Sequence, residues 1–202
     1  MQDHDAILLE TRGRIAYLWL NAPPRNEMST PFFSRLGGVI SVELPSLDVD
    51  GVIIAGKERH FSSGADLAHM GEALQQGEGF ARFLAANSES VSRLASLPFP
   101  VVAAINGVCL GAGLELALAC SKRVASRQAV LGLPEATFGL MPGWGGTIRL
   151  TKLIGRSRAI ELILSGKTFG AEDALEYGVV DAVVEKKDLM REAEKMIMKE
   201  KS

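Results

Sequence analysis

Residues Val101–Cys120 read VVAAINGVCLGAGLELALAC, and the way this stretch folds decides the architecture. It has the length of a membrane span and carries one charge, Glu115. It also holds Asn106 and three glycines, and it lacks aromatic or cationic anchors on both flanks. A strand, a glycine turn and a buried helix account for it better. The pattern predicts a β-branched strand over Phe99–Ile105, a turn over Asn106–Gly113 and a helix over Leu114–Cys120. No membrane partner follows.

Working outward, the same theme recurs on both sides. Gly51–Gly56 (GVIIAG) reads as a buried strand, Lys57–Asp66 (KERHFSSGAD) as a polar loop, and about Leu67–Leu97 as a long helical region. Ala6–Leu9 and Ile15–Leu20 form a predicted hairpin around Arg12-Gly13. A proline-rich loop, Asn21–Met28, leads to Thr30-Pro31, an N-cap followed by proline. Downstream come short extended pieces at Arg123–Ala125 and Val130–Gly132, then the turn Pro142–Gly146. Helices follow near Thr147–Ile154, Ser157–Leu164 and Gly170–Tyr177. A strand over Val179–Val184 and a helix over Asp188–Lys199, capped by Asp188, complete the pattern. Strand–turn–helix units without an interdomain linker predict one α/β domain spanning 1–202.

Composition narrows the function. The 202 residues are 47% apolar with a formal net charge of −2, which excludes a disordered chain and offers no basic field for nucleic acid. Eleven of the 21 glycines lie between Gly107 and Gly170, so they mark turns and close backbone approach rather than a linker. Cys109 and Cys120 read as reduced core residues. The polar N-terminus resembles neither a secretory signal nor a transit peptide, which makes the cytoplasm the default expectation.

Two carboxylates stand out. Glu115 begins an almost wholly apolar helix, and Glu135 sits in VLGLPEATFGL. A desolvated carboxyl has a raised pKa and can serve as a general acid near neutrality; either residue could instead be an ordinary first-turn glutamate satisfying a helix dipole. The loops Ser62–Asp66 (SSGAD) and Gly111–Gly113 (GAG) both lead into helices, whose N-termini present unpaired N–H groups suited to an anion. Two such junctions, if they converge, would make a main-chain oxyanion hole.

Other constellations fail. Gly111-x-Gly113 starts a dinucleotide fingerprint, but position 116 is Leu. His60, Asp66 and His69 match no recognised metal-site spacing, and Ser62 and Ser63 lack a nucleophile elbow.

The segments HFSSGADL (His60–Leu67), PFPVVAAINGVCLGAGLELALAC (Pro98–Cys120), LGLPEATFGLMPGWGGTIRL (Leu131–Leu150) and SGKTFGAEDALEYGVVDAVV (Ser165–Val184) resemble the crotonase, or enoyl-CoA hydratase/isomerase, family. The resemblance runs from about Ile7 to Val184. It implies a spiral of ββα units with surrounding helices, here with a C-terminal helical region short or absent. It also implies an acyl-CoA substrate, no metal or other cofactor, and assembly as a homotrimer or dimer of trimers. By motif match the oxyanion-hole donors are the N–H groups of Ala65 and Ala112, and the catalytic carboxyls are Glu115 and Glu135. Substrate-binding positions fall at Arg25, Asn26, Ala65, Asp66, Leu67, Ala68 and Ala112.

The implied reaction is syn hydration of a trans-2-enoyl-CoA, with Glu135 as acid and Glu115 activating water. A Δ3,Δ2-enoyl-CoA isomerase and a non-catalytic acyl-CoA-binding protein are the alternatives; retention of Glu115 favours hydration. Three departures from the family pattern stand out. Ala112 takes the middle of a usual triple glycine, Ser121 follows the cysteine where aspartate is common, and Trp144 occupies a turn where small residues prevail. Ala112 therefore puts a methyl group, with its narrower φ range, into a donor-bearing turn, and Trp144 is expected to narrow the acyl pocket.

Overall fold

In the computed structural model, which describes residues 5–75 and 80–199, the deciding stretch folds as strand, corner and helix. Strand β4 (Val101–Ile105) ends at Asn106-Gly107, and the chain then enters a second sheet as β5 (Val108–Leu110) before helix α4 (Ala112–Ala119). The predicted glycine turn therefore contains a short strand, because residues 108–110 pair with β7 (Val130–Gly132).

The larger sheet has six strands in the order β1 (Ile7–Arg12), β2 (Ile15–Leu20), β3 (Gly51–Gly56), β4, β6 (Lys122–Ser126) and β9 (Ala182–Val184). Only β1–β2 is antiparallel. The smaller sheet runs β5-β7-β8, with β8 at Thr168–Gly170. A chain that steps twice between two sheets and returns through helices gives the ββα repeat.

Strand alternation divides the core. Val52, Ile54, Ala103 and Ile105 join the main cluster with α4 and α1 (Thr30–Gly38). Tyr17, Ile53, Val102 and Val124 face the other way, against Leu189, Ala193 and Ile197 of α8 (Leu189–Lys199). A sheet buried on both faces explains the unbroken apolar runs of β3 and β4. Gly51 is needed where α8 crosses, since a Cβ there would lie 2.6 Å from Ile197. After the last strand come a 3-10 turn, Lys186–Asp188, and α8.

Several boundaries differ from expectation. Ser29, not Thr30, caps α1, accepting the Phe32 N–H at 3.4 Å and leaving Pro31 inside the first turn. The helical region after Leu67 divides into α2 (Leu67–Gln75) and α3 (Phe80–Leu94), and residues 76–79 of that expectation lie outside the described ones. Val179 and Val180 are buried but not in a strand, because both amides bond back to the Ala174 carbonyl. Helices α5 (Gly146–Ile154), α6 (Arg156–Ser165) and α7 (Ala171–Tyr177) stand within a residue of their expected ends.

Candidate active site

The loop before α2 and the turn before α4 come together. Ser62 N–H bonds to Val108, and Leu110 N–H bonds to the Ser62 carbonyl at 3.0 Å, so the SSGAD loop runs alongside β5. Gly113 exists for this approach: a Cβ there would lie 2.8 Å from both the Ser62 carbonyl oxygen and its Cβ. Gly111 turns the chain at φ +50°, a conformation open to glycine, and Ala112 enters as the first residue of α4. The expected constraint on φ at Ala112 does not arise, because the left-handed turn is made one residue earlier.

Neither the Ala65 N–H nor the Ala112 N–H has an acceptor among the described residues. Both residues line a cavity of about 330 Å³. The amide of Ala112 is one of the orphan donors of a helix start. Glu115 and Glu135 line the same cavity. Four groups from three separate segments of the sequence thus share one space, together with Leu67 at its rim.

The carboxyls live in opposite surroundings. Glu115 is 1% exposed, and its Oε1 accepts two hydrogen bonds of 2.7 Å, from the amides of Trp144 and Gly146. Gly146 starts α5, so this carboxylate lies at a helix N-terminus. Burial raises its pKa, while the amides of Gly146, Trp144 and Gly143 and the charge of Arg149 oppose the rise. Glu135 lies in a single helical turn, Pro134–Phe138. Its Oε2 is buried with no hydrogen-bond partner among the described residues. Burial first, and then the charge of Glu115, push its pKa up to about 7, against its own backbone amide.

The remaining predicted positions separate. Asn26 is buried at φ +52°, and its side chain is spent on loop structure. Its amide donates to the carbonyls of His60 and Phe61 at 2.9 and 3.1 Å, and its oxygen accepts the Ala22 N–H. Asp66 caps α2 by accepting the His69 N–H at 3.0 Å. Arg25 is exposed and paired with Glu27 at 2.8 Å, and Ala68 is exposed on α2. His60 accepts the Val108 N–H, a brace between loop and β5. Cys109 and Cys120 are buried free thiols.

Sequence reasoning missed how the turn Pro142–Gly146 serves Glu115. Trp144 is 4% exposed, with its indole N–H on the Leu84 carbonyl at 3.2 Å and its ring 4.7 Å from Phe33. It lines the cavity, as do the apolar groups of Met70, Leu140 and Met141. The only sequence signal was three glycines around one bulky residue.

Comparison with known proteins settles the family. The enoyl-CoA hydratase/isomerase family model matches residues 10–201. The chain belongs to this family. An enoyl-CoA hydratase from Bacillus anthracis is 33% identical, with a TM-score of 0.87 over 96% of this chain and 76% of its own. Pseudomonas aeruginosa DspI is 33% identical, with a TM-score of 0.86 over 98% of this chain and 81% of that one. An enoyl-CoA hydratase from Polaromonas is 27% identical with a TM-score of 0.88, over 96% of this chain and 76% of its own. The enoyl-CoA hydratase/isomerase fold is therefore common ground, and acyl-CoA is a substrate class consistent with it. No described helix is long and apolar enough to cross a membrane.

Proposed function

We propose that the protein is an enoyl-CoA hydratase, which adds water reversibly and syn across the double bond of a trans-2-enoyl-CoA. The observation that carries this reading is one cavity holding two acceptor-less backbone N–H groups and two carboxyls with opposed environments. The thioester oxygen would take both N–H groups, so that negative charge developing on it in the enolate is stabilised. One such donor is worth about 3 kcal/mol. Glu115 would accept a proton from water as its oxygen bonds to the β-carbon. Glu135, neutral at the start, would deliver a proton to the α-carbon on the same face. Their charges then interchange, and proton exchange with solvent resets the pair.

This chemistry needs no metal or redox cofactor, so chelators should leave turnover unchanged. Leu67 and Ala68 would flank the coenzyme A arm at the mouth. Arg25, a surface cation, would contribute only to coenzyme A affinity, and Asn26 and Asp66 would act by shaping the loops. We place the enzyme in the cytoplasm and expect a homotrimer or dimer of trimers. Exposed Ile148, Ile160 and Leu164 on α5 and α6 would supply apolar contact area.

Incubation with crotonyl-CoA, following loss of enoyl absorbance, tests the proposal. Glu115→Gln and Glu135→Gln should each slow hydration about a hundredfold or more. Near-normal turnover in either folded variant would overturn the two-carboxyl mechanism. An isomerase needs one proton-shuttling carboxyl, which the unpartnered oxygen of Glu135 suits. Isomerisation of a 3-enoyl-CoA that survives Glu115→Gln, without wild-type hydration, would favour that reading.

A further inference from the structure

Arg149 occupies the first turn of α5. A helix dipole disfavours a cation there, and partial burial disfavours it further. The arginine must therefore gain something that offsets both. Its Nη1 donates to the Trp144 carbonyl at 2.6 Å, and its backbone N–H bonds to the Gly145 carbonyl at 2.9 Å. The guanidinium lies over Gly145, itself at φ +95°, with Nη1 2.2 Å from where a Cβ would stand. Both backbone polar groups of Trp144 are thus held: its N–H by Glu115 and its carbonyl by Arg149. No carboxylate pairs directly with Arg149 among the described residues, and the charge it feels most is that of Glu115.

We propose that Arg149 is a positioning residue, which clamps the Trp144–Gly146 turn and so fixes the Glu115 carboxylate at the cavity. The clamp acts through the turn that supplies both 2.7 Å amide hydrogen bonds. It also acts through space, because the guanidinium charge favours ionised Glu115. The titratable and charged groups around this arrangement are Glu135, across the cavity, and Cys120, the residue after α4, which in turn feels Arg123. Neither Glu135 nor a buried neutral thiol can substitute for the positive charge. The kinetic consequence rests on the hydratase reading above; the structural link between Arg149 and Glu115 does not.

The test uses the full chain with Arg149→Met, Arg149→Gln and Arg149→Lys. Carboxyl carbon NMR on glutamate-labelled protein, with Glu115 assigned through Glu115→Gln, gives its titration directly. The two neutral variants should raise the Glu115 midpoint by one unit or more, and Arg149→Lys should return it toward wild type. With crotonyl-CoA, kcat should fall ten- to a hundredfold in the neutral variants while KM stays within twofold, and the base-dependent limb of the pH profile should move upward. A folded neutral variant with the wild-type Glu115 titration would overturn the proposal, and the Gln variant serves if Met does not fold. If wild type hydrates no crotonyl-CoA, the hydratase reading falls, and the NMR titration still decides the role of Arg149.

Discussion

Replacing Glu135 by Gln should make the protein more stable at alkaline pH, and the size of the gain follows from where the carboxyl sits. Folding lifts its pKa from 4.5 to about 7, chiefly by burial. A carboxyl whose pKa is raised by folding binds more protons in the folded state than in the unfolded one. Stability is then greatest below pH 4.5 and is lost as pH rises toward 7. That rise sets a ceiling of about 3 kcal/mol. The side chain keeps partial contact with solvent, and screening reduces the figure to about 1–2 kcal/mol. Glutamine keeps the shape without the charge, so this loss disappears in Glu135→Gln. In a domain of this size 1 kcal/mol moves Tm by about 2–4 °C. Thermal unfolding of both proteins from pH 4 to pH 8 should show similar Tm values at pH 4 and a lead of about 2–8 °C for the variant at pH 8. The difference matters, not either curve alone, because acid unfolding acts on both. A difference that is flat with pH would refute the argument, as would a variant that is less stable at pH 8. The same substitution should nearly abolish hydration, a gain of stability made at the cost of function.

Ala112→Pro removes a donor N–H at the first position of α4, a place where proline is otherwise tolerated. It should lower kcat for crotonyl-CoA hydration about a hundredfold with the circular dichroism spectrum retained, and an active variant would count against the Ala112 donor. Gly113→Ala puts a Cβ 2.8 Å from backbone at Ser62 and should cost about 1–3 kcal/mol in denaturant unfolding. Asn26→Ala strands three loop hydrogen bonds, one buried and two half-buried, and should reduce stability by about 1–3 kcal/mol without a specific rise in KM. A large KM effect with unchanged stability would instead make Asn26 a substrate contact.

The parts of the site legible in the sequence are those with local causes. Glu115 and Glu135 drew notice because each is a lone charge in an apolar run, and both donor-bearing turns were visible as glycine before a helix. What composition and spacing could not supply is the pairing between distant segments. The family resemblance puts Asn26 among the substrate-binding positions, yet its amide lies 2.9 Å from the His60 carbonyl, a partner set by tertiary packing alone. The same holds for β5, three residues long, whose strand character comes from pairing with Val130–Gly132 rather than from any pattern of its own. Arg149 gave no signal either, being one basic residue among helix formers.

Proton placement in the pair follows from geometry. Both carboxyls are desolvated, so each alone would favour its neutral form. Glu115 receives two backbone hydrogen bonds at a helix N-terminus and the field of Arg149, all of which favour the anion. Glu135 has one buried oxygen with no partner and feels the negative charge of Glu115. When two coupled carboxyls compete for one proton, it resides where the anion is least supported, which is Glu135. On the hydratase reading, the base for water and the acid for carbon are thus assigned by two backbone hydrogen bonds and one guanidinium on the Glu115 side. Moving Arg149 or opening the Pro142–Gly146 turn should disturb the assignment without touching either carboxyl.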